Sequence, residues 1–360
     1  RQMCIRDRTY GGVAEAVMKA AMGGGFGFRF AEGVTLGEVF GYRYGAFVFE
    51  CAESVGEGRL LGAVTADGAF TMNGESVSAA EIDAAYESKL ESVFSCNIKQ
   101  DCGKLEKVSY TEGKPQKSGV KFAAPRVLIP VFPGTNCEYD TAKAVRRAGG
   151  VPEIFLVNNL TPQAVAQSAE RFAERIGEAQ IIFIPGGFSG GDEPDGSGKF
   201  ITSFFRGARV TEAVRELLKH RDGLMAGICN GFQALIKLGL VTHGDIVNIG
   251  EDFPTLTYNT IARHQSRIVR TRVASNLSPW LSGVEVGDIV NVPISHGEGR
   301  FYANAEWLAR LAERGQIATQ YVDFDGNPTA DIAFNPNGSA LAVEGITSPD
   351  GRVLGKMGHT

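Results

Sequence analysis

Leu224-Met225-Ala226-Gly227-Ile228-Cys229-Asn230-Gly231-Phe232-Gln233-Ala234-Leu235-Ile236-Lys237-Leu238 is the stretch on which the fold turns. Residues 224–228 form an apolar run with the length of a buried strand, and 232–238 has the composition of an apolar helix. Between them, Gly227-Ile228-Cys229-Asn230-Gly231 has the Gly-x-nucleophile-x-Gly form of a nucleophile elbow. Such a sharp turn needs its glycines, because neighbouring chains come so close that a Cβ would clash. It also sets the Cys229 sulfur at a helix N-terminus, whose dipole favours the thiolate. The competing reading is a buried cysteine in a glycine-bounded βα turn, since free cysteine is often simply core.

Upstream the same alternation repeats. Arg126-Val127-Leu128-Ile129-Pro130-Val131 reads as a strand, followed by a helix over 140–148 that stops at Gly149-Gly150. A strand at 154–157, a helix at 162–175, a strand at 181–184 and a helix at 209–220 lead into the elbow. Strands alternating with helices predict an α/β domain built on a parallel sheet with helices on both faces. Past residue 240 the pattern turns strand-rich, with 267–273 and 289–293 as candidates.

The elbow has a companion in Ile184-Pro185-Gly186-Gly187-Phe188-Ser189-Gly190-Gly191, a glycine-rich loop straight after a strand. In parallel α/β sheets ligands bind beyond the carboxyl ends of strands. Its amides, with that of Asn230 just after the nucleophile, are placed to form an oxyanion hole. A phosphate cradle of the Walker type fails, because no Gly-Lys-Ser/Thr closes the loop. A flexible surface loop is the bland alternative.

A cysteine nucleophile needs a base, usually histidine, and the chain has His220, His243, His264, His296 and His359. His220 ends a helix beside Arg221 and reads as a C-terminal cation. His243, in Thr-His-Gly-Asp, reads as a turn. His296, in Ser295-His296-Gly297-Glu298-Gly299-Arg300, has Glu298 to orient it, while His359 lies in Lys356-Met357-Gly358-His359-Thr360. Spacing alone does not choose between the last two.

Towards the N-terminus, residues 1–8 show no helical or strand pattern and read as non-native sequence set aside from the fold. Residues 9–95 read as a small α/β piece: a helix from Val13 to Ala21 and strands at 46–50 and 60–64. Gly23-Gly24-Gly25-Phe26-Gly27 ends that helix instead of opening one, so it is no dinucleotide fingerprint. The polar stretch 96–124 reads as a linker, and a second domain as 125–360.

Five motifs in order carry a family resemblance: Phe132-Pro133-Gly134-Thr135-Asn136-Cys137-Glu138, the Pro-Gly-Gly-Phe-Ser loop, Gly-Ile-Cys-Asn-Gly-Phe-Gln, His-Gly-Glu-Gly-Arg and Asn335-Pro336-Asn337-Gly338-Ser339. Over about 125–360 the chain resembles the glutaminase domain of the phosphoribosylformylglycinamidine synthases, class I glutamine amidotransferases of purine synthesis with a flavodoxin-like sheet. Gly-Gly-Val-Ala-Glu-Ala-Val and Tyr44-Gly45-Ala46-Phe47-Val48 are similar to the end of that enzyme's synthetase region. The order suits the large single-chain form.

The resemblance implies a base near the C-terminus, in a His-x-Glu motif after a Gly-Arg-Val-Leu-Gly strand. Gly351-Arg352-Val353-Leu354-Gly355 followed by His359 matches it, so His359 inherits that role, and His296 and Glu298 become secondary candidates. The glutamate would be position 361, so the chain reads as a fragment truncated at both ends. The implied chemistry is attack of Cys229 on glutamine. Gly186, Gly187, Phe188 and Asn230 would surround the oxyanion and Gln233 would line the substrate pocket. No cofactor belongs to this piece. ATP and Mg²⁺ belong to the whole enzyme, whose remaining synthetase domains are the implied partners.

Composition bounds the alternatives. With Lys+Arg 36 against Asp+Glu 41, a net charge of -5 gives no basic face for nucleic acid. No apolar run reaches a membrane span, and no secretory signal precedes the fold. Six cysteines without a Cys-x-x-Cys spacing point to free thiols and a cytoplasmic location. Asp192-Glu193-Pro194-Asp195 reads as a solvated acidic loop before a metal site. Arg263, Arg267, Arg270 and Arg272 read as a solvated strand face, or as facing a partner domain or the glutamine carboxylate. The rival functions are another elbow-cysteine hydrolase and a non-catalytic glutamine-binding or docking module.

Overall fold

The computed structural model describes residues 4–7, 10–42, 45–51, 58–93, 102–115, 120–189 and 198–359. The acidic loop at 192–195 lies outside them. The chain divides into two compact units, Arg1–Ile98 and Lys99–Thr360.

The first unit runs β1 (Cys4–Asp7), α1 (Gly12–Met22), β2 (Gly27–Phe30), α2 (Leu36–Phe40), β3 (Phe47–Glu50), β4 (Gly62–Thr65), β5 (Ala69–Met72), β6 (Glu75–Ser78) and α3 (Ala79–Ser88). Four strands form a sheet in the order β4-β2-β5-β6, and β1 pairs antiparallel with β3. Val13 and Val17 on α1 bury against Phe28, as the apolar spacing of that helix predicts. Setting residues 1–8 aside from the fold is corrected: Cys4–Asp7 is a paired strand. Four residues can be held by backbone bonds to a neighbour with no alternating pattern of their own. Helices α2 and α3 begin with capping boxes, Thr35 with Glu38 and Ser78 with Glu81.

The second unit runs β7 (Arg126–Val131), α4 (Glu138–Arg147), β8 (Val151–Leu156), α5 (Pro162–Glu178), β9 (Ile181–Ile184), α6 (Lys199–Phe205), α7 (Ala208–Lys219), β10 (Leu224–Ile228), α8 (Asn230–Leu238), α9 (Leu240–His243), β11 (Thr255–Thr257), β12 (Gln265–Val273), β13 (Ile289–His296), β14 (Arg300–Tyr302), α10 (Ala305–Glu313), β15 (Ile317–Tyr321), β16 (Val343–Thr347) and β17 (Val353–Lys356). Nine strands make one sheet in the order β13-β12-β15-β16-β17-β10-β9-β7-β8. The expected α/β alternation holds from β7 to α8. The five strands from β8 to β17 run parallel, with side chains alternating between two helix-covered faces. Val127 and Ile129 pack on Ala142 of α4, while Leu128, Ile182 and Ile184 join Phe172, Leu217 and Leu235 on the other face.

The expected parallel sheet covers these five strands, and the strand-rich stretch past residue 240 adds an antiparallel half. From β17 outward the order β16-β15-β12-β13 is antiparallel throughout. Strand β12 explains the difference. Its first half is largely exposed and its second half largely buried, a partly solvated surface that antiparallel strands tolerate and doubly covered parallel strands do not.

Within the 96–124 expected as a linker, the described residues 106–110 are bonded to their own unit. Val108 is buried, and its amide donates to Gln320 Oε1 at 3.0 Å while Gln320 Nε2 donates to Glu106 O at 3.0 Å. Arg272 donates to Val108 O and Ser109 Oγ, both at 2.7 Å, and the Tyr110 amide to Ala274 O at 2.8 Å. The segment is a strap on its own unit. Its composition is polar because its bonds go to partners far along the chain, which local composition does not register.

Candidate functional site

The elbow is formed as its glycines require. Cys229 joins β10 to α8 with φ 52° and ψ -106°, a conformation that costs a non-glycine residue of order 1–3 kcal/mol and persists only where the surroundings impose it. Two constraints do so here. The Cys229 amide donates to Lys356 O on β17 at 2.8 Å. A Cβ at Gly231 would stand 2.3 Å from Ile184 O, so α8 rests directly on the end of β9.

The Pro-Gly-Gly-Phe-Ser loop is locked to the Phe-Pro-Gly-Thr-Asn-Cys loop by backbone contact. A Cβ on Gly187 would lie 2.5 Å from Gly134 O, and one on Gly134 would lie 2.4 Å from Phe188 O. The Phe188 amide donates to Gly134 O at 2.8 Å and the Ser189 amide to Asn230 Oδ1 at 3.2 Å. Among the described residues no backbone acceptor meets the Gly187 N–H. The Phe188 ring lies 6.0 Å from that of His264.

Strand β13 is a common contact of Cys229 and His359. Pro293 faces Ile268 of β12, and having no N–H it fits where its nitrogen points out of the ladder. Its carbonyl then points outward too, and accepts the His359 amide at 2.9 Å. Two residues on, Ser295 O presents the same edge to Cys229 Sγ at 3.9 Å. Alternate carbonyls of a strand lie roughly 7 Å apart, so this edge aligns the two residues side by side.

His359 is largely buried. Burial pushes its imidazole below the usual histidine value and the Lys356 ammonium pushes the same way, opposed by the Glu344 carboxylate. Its Nδ1 lies 4.0 Å from Cys137 Sγ, and its Cε1 would sit 2.6 Å from a Cβ on Gly186. Burial, then the carboxylates of Asp140 and Glu138, raise the Cys137 thiol, so this second cysteine is held protonated. His359, Cys137 and Gly186 also line a cavity of about 610 Å³ bounded by α4 and Trp280.

His296 occupies a different environment. It is 1% exposed, and among the described residues neither ring nitrogen meets a hydrogen-bond partner. Burial, then the nearby His264 and His359, push its pKa to about 3, leaving the ring neutral. The ring lies flat on Gly299, where a Cβ would come within 2.3 Å of it. The Asn-Pro-Asn-Gly-Ser loop clamps this turn: Asn337 Nδ2 donates to Gly299 O at 3.0 Å and to the Tyr321 hydroxyl at 2.9 Å. Glu298 is buried in the same turn. Its carbonyl accepts from Gln233 Nε2 at 2.8 Å.

Gln233 is thereby corrected from pocket lining to brace. Its Oε1 accepts from Asn230 Nδ2 at 2.9 Å while its amide nitrogen holds Glu298 O, and the side chain is 2% exposed. Of the four arginines, Arg267 lies on the exposed half of β12, as a solvated strand face would place it. Arg267 and Arg270 donate to carbonyls at 332, 333 and 324, and Arg272 holds the strap. Sequence reading missed Cys137, Pro293, Ser295 and Glu344 around His359. The proline inside an apolar strand was the available signal; the others become visible only once β13, β16 and β17 are assembled.

Residues 124–360 match a family model described as a CobB/CobQ-like glutamine amidotransferase domain. The phosphoribosylformylglycinamidine synthase subunit PurQ of Methanococcus maripaludis is 34% identical over 236 residues, covering 65% of this chain and 81% of that protein. The PurQ subunit of Rhodospirillum rubrum is 35% identical over 233 residues, 64% of this chain and 87% of its own. A solved structure of PurLQS from Thermotoga maritima aligns with a TM-score of 0.47 at 25% identity, over 66% of this chain and 87% of that one.

Proposed function

The chain belongs to the CobB/CobQ-like glutamine amidotransferase family through residues 124–360, and from that premise we propose that it hydrolyses glutamine to supply ammonia for purine synthesis. The acceptor reaction is ATP-dependent conversion of formylglycinamide ribonucleotide to its amidine, with ATP and Mg²⁺ bound by synthetase domains outside the glutaminase unit. The PurQ relatives support this acceptor. We assign residues 9–95 to the end of a synthetase region carried on the same polypeptide, on their Gly-Gly-Val-Ala-Glu-Ala-Val and Tyr-Gly-Ala-Phe-Val motifs. The free thiols of Cys51, Cys102, Cys137 and Cys229 suit a reducing cytoplasm. Among the described residues no helix is long and apolar enough to cross a membrane.

The observation that carries the reading is that the Cys229 thiol and the His359 amide meet alternate carbonyls of one strand, Ser295 O and Pro293 O of β13. Cys229 thiolate attacks the side-chain amide carbon of glutamine, and the N–H groups of Gly187 and Asn230 hold the oxyanion. His359 gives a proton to the departing ammonia, then draws one from the water that hydrolyses the glutamyl thioester. Cys137, held protonated, takes no nucleophilic part.

A glutamine-derived affinity label tests this. It is expected to modify Cys229 alone and to leave Cys229→Ala unmodified, and that variant is expected to release no ammonia from glutamine. Labelling of Cys137 with Cys229 spared, or ammonia release by Cys229→Ala, would overturn the reading.

A further inference from the structure

We infer that Glu344 is a positioning residue for His359: it holds the backbone that carries the imidazole and supplies the carboxylate that favours its protonated form. The inference rests on His359 being the base.

The geometry is specific. Glu344 lies on β16 with no exposed surface. Its Oε1 accepts the Gly358 amide at 2.5 Å and its Oε2 accepts the Thr319 hydroxyl at 2.5 Å. Its own carbonyl accepts the Met357 amide at 3.2 Å. One residue therefore holds both amides immediately before His359. A Cβ at Gly358 would come within 2.9 Å of Glu344 Oε1 and 2.6 Å of Val292, so glycine is what lets the carboxylate approach the backbone.

Four groups face His359: Lys356 and Glu344 from the sheet, Cys137 from the start of α4, and His296 from β13. Burial and the Lys356 ammonium disfavour the imidazolium, and Glu344 favours it. A base that must take a proton from water and give one to ammonia works best with its pKa near the working pH. The carboxylate offsets the desolvation that the buried position imposes.

Glu344→Gln tests the assignment, because the amide oxygen can still accept from Gly358 while the charge is gone. The measurement is kcat and KM for glutamine hydrolysis across pH, on the full chain, beside Glu344→Ala, Thr319→Val and His359→Ala. In Glu344→Gln the acid limb of kcat/KM is expected to move to lower pH by about half a unit or more, with KM changed less than about twofold. Glu344→Ala, losing charge and anchor together, is expected to lower kcat by about tenfold or more. An acid limb that stays in place in folded Glu344→Gln would overturn the inference, since a merely structural carboxylate changes stability and not this limb. Should Glu344→Gln fail to fold, Thr319→Val carries the test: it removes the donor that fixes Oε2 but leaves the charge, so kcat is expected to fall severalfold while the acid limb stays or moves to higher pH, and an unchanged kcat or a limb moved to lower pH overturns the inference. His359→Ala separates the two levels. If it hydrolyses glutamine at the wild-type rate, the function reading fails. If it is inactive while the limb of Glu344→Gln stays put, only the role of Glu344 fails.

Discussion

The amide of His359 donates to the carbonyl of Pro293 at 2.9 Å, although β17 and β13 are separated in the sheet by β16, β15 and β12. The antiparallel half must therefore curl back until its outermost strand meets the segment following β17. That curl forms the site: the parallel half delivers Cys229 at the end of β10, and the antiparallel half returns Ser295 to its sulfur.

The two histidines are expected to separate kinetically. His359→Ala should lower glutamine turnover by about 10²–10⁴-fold, the range lost with a general acid–base. His296→Ala should keep a measurable rate, because a ring that stays neutral with a pKa of about 3 is a poor proton carrier at neutral pH. Steady-state ammonia release from the two variants checks this, and the reverse ranking would exchange their roles.

Stability should carry the signature of His296. Its folded value of about 3 lies below the 6.5 of an exposed histidine, so below pH 6.5 the unfolded chain binds a proton that the folded one refuses. Stability then falls as pH drops, by up to about 1.4 kcal/mol per unit from this residue, until the folded value is reached. Urea unfolding from pH 7 to pH 4 is expected to show a shallower loss in His296→Leu than in wild type.

Two glycine substitutions should fail differently. In Gly231→Ala the new Cβ meets the backbone oxygen of Ile184 at 2.3 Å, which cannot step aside, so a loss of roughly 2–3 kcal/mol or more is expected. In Gly186→Ala it meets the His359 ring at 2.6 Å, a side chain that can swing away. Thermal unfolding should therefore change little in Gly186→Ala while kcat falls by about tenfold or more.

The strap should resist proteolysis. Glu106 and Val108 are both bonded to Gln320, so the bond after Lys107 is held on either side. Limited trypsin digestion followed by mass spectrometry is expected to leave Lys107–Val108 intact in wild type and to cut it faster in Gln320→Ala.

What the sequence made legible is what local pattern and local sterics decide. The β7-to-α8 alternation, the elbow at Cys229 and its glycines all follow from runs of apolar residues and the need for close approach. Position along the chain hid the rest. Residues 102–113 look like linker because their hydrogen-bond partners are Gln320 and Arg272. Gln233 looks like pocket lining because its distant partner, Glu298 O, becomes its neighbour only when the turn at 296–299 folds over α8. Spacing alone left His296 and His359 as alternatives; the family resemblance favoured His359, and burial and strand register place the two rings in different surroundings.

A strand at the margin of a sheet ordinarily offers a row of unmet carbonyls on which another chain can pair. In β13 two of those outward carbonyls are occupied by the His359 amide and the Cys229 thiol. On the roles proposed for Cys229 and His359, the residues of the chemistry also cover this edge, and selection on solubility and on turnover acts here on the same few atoms.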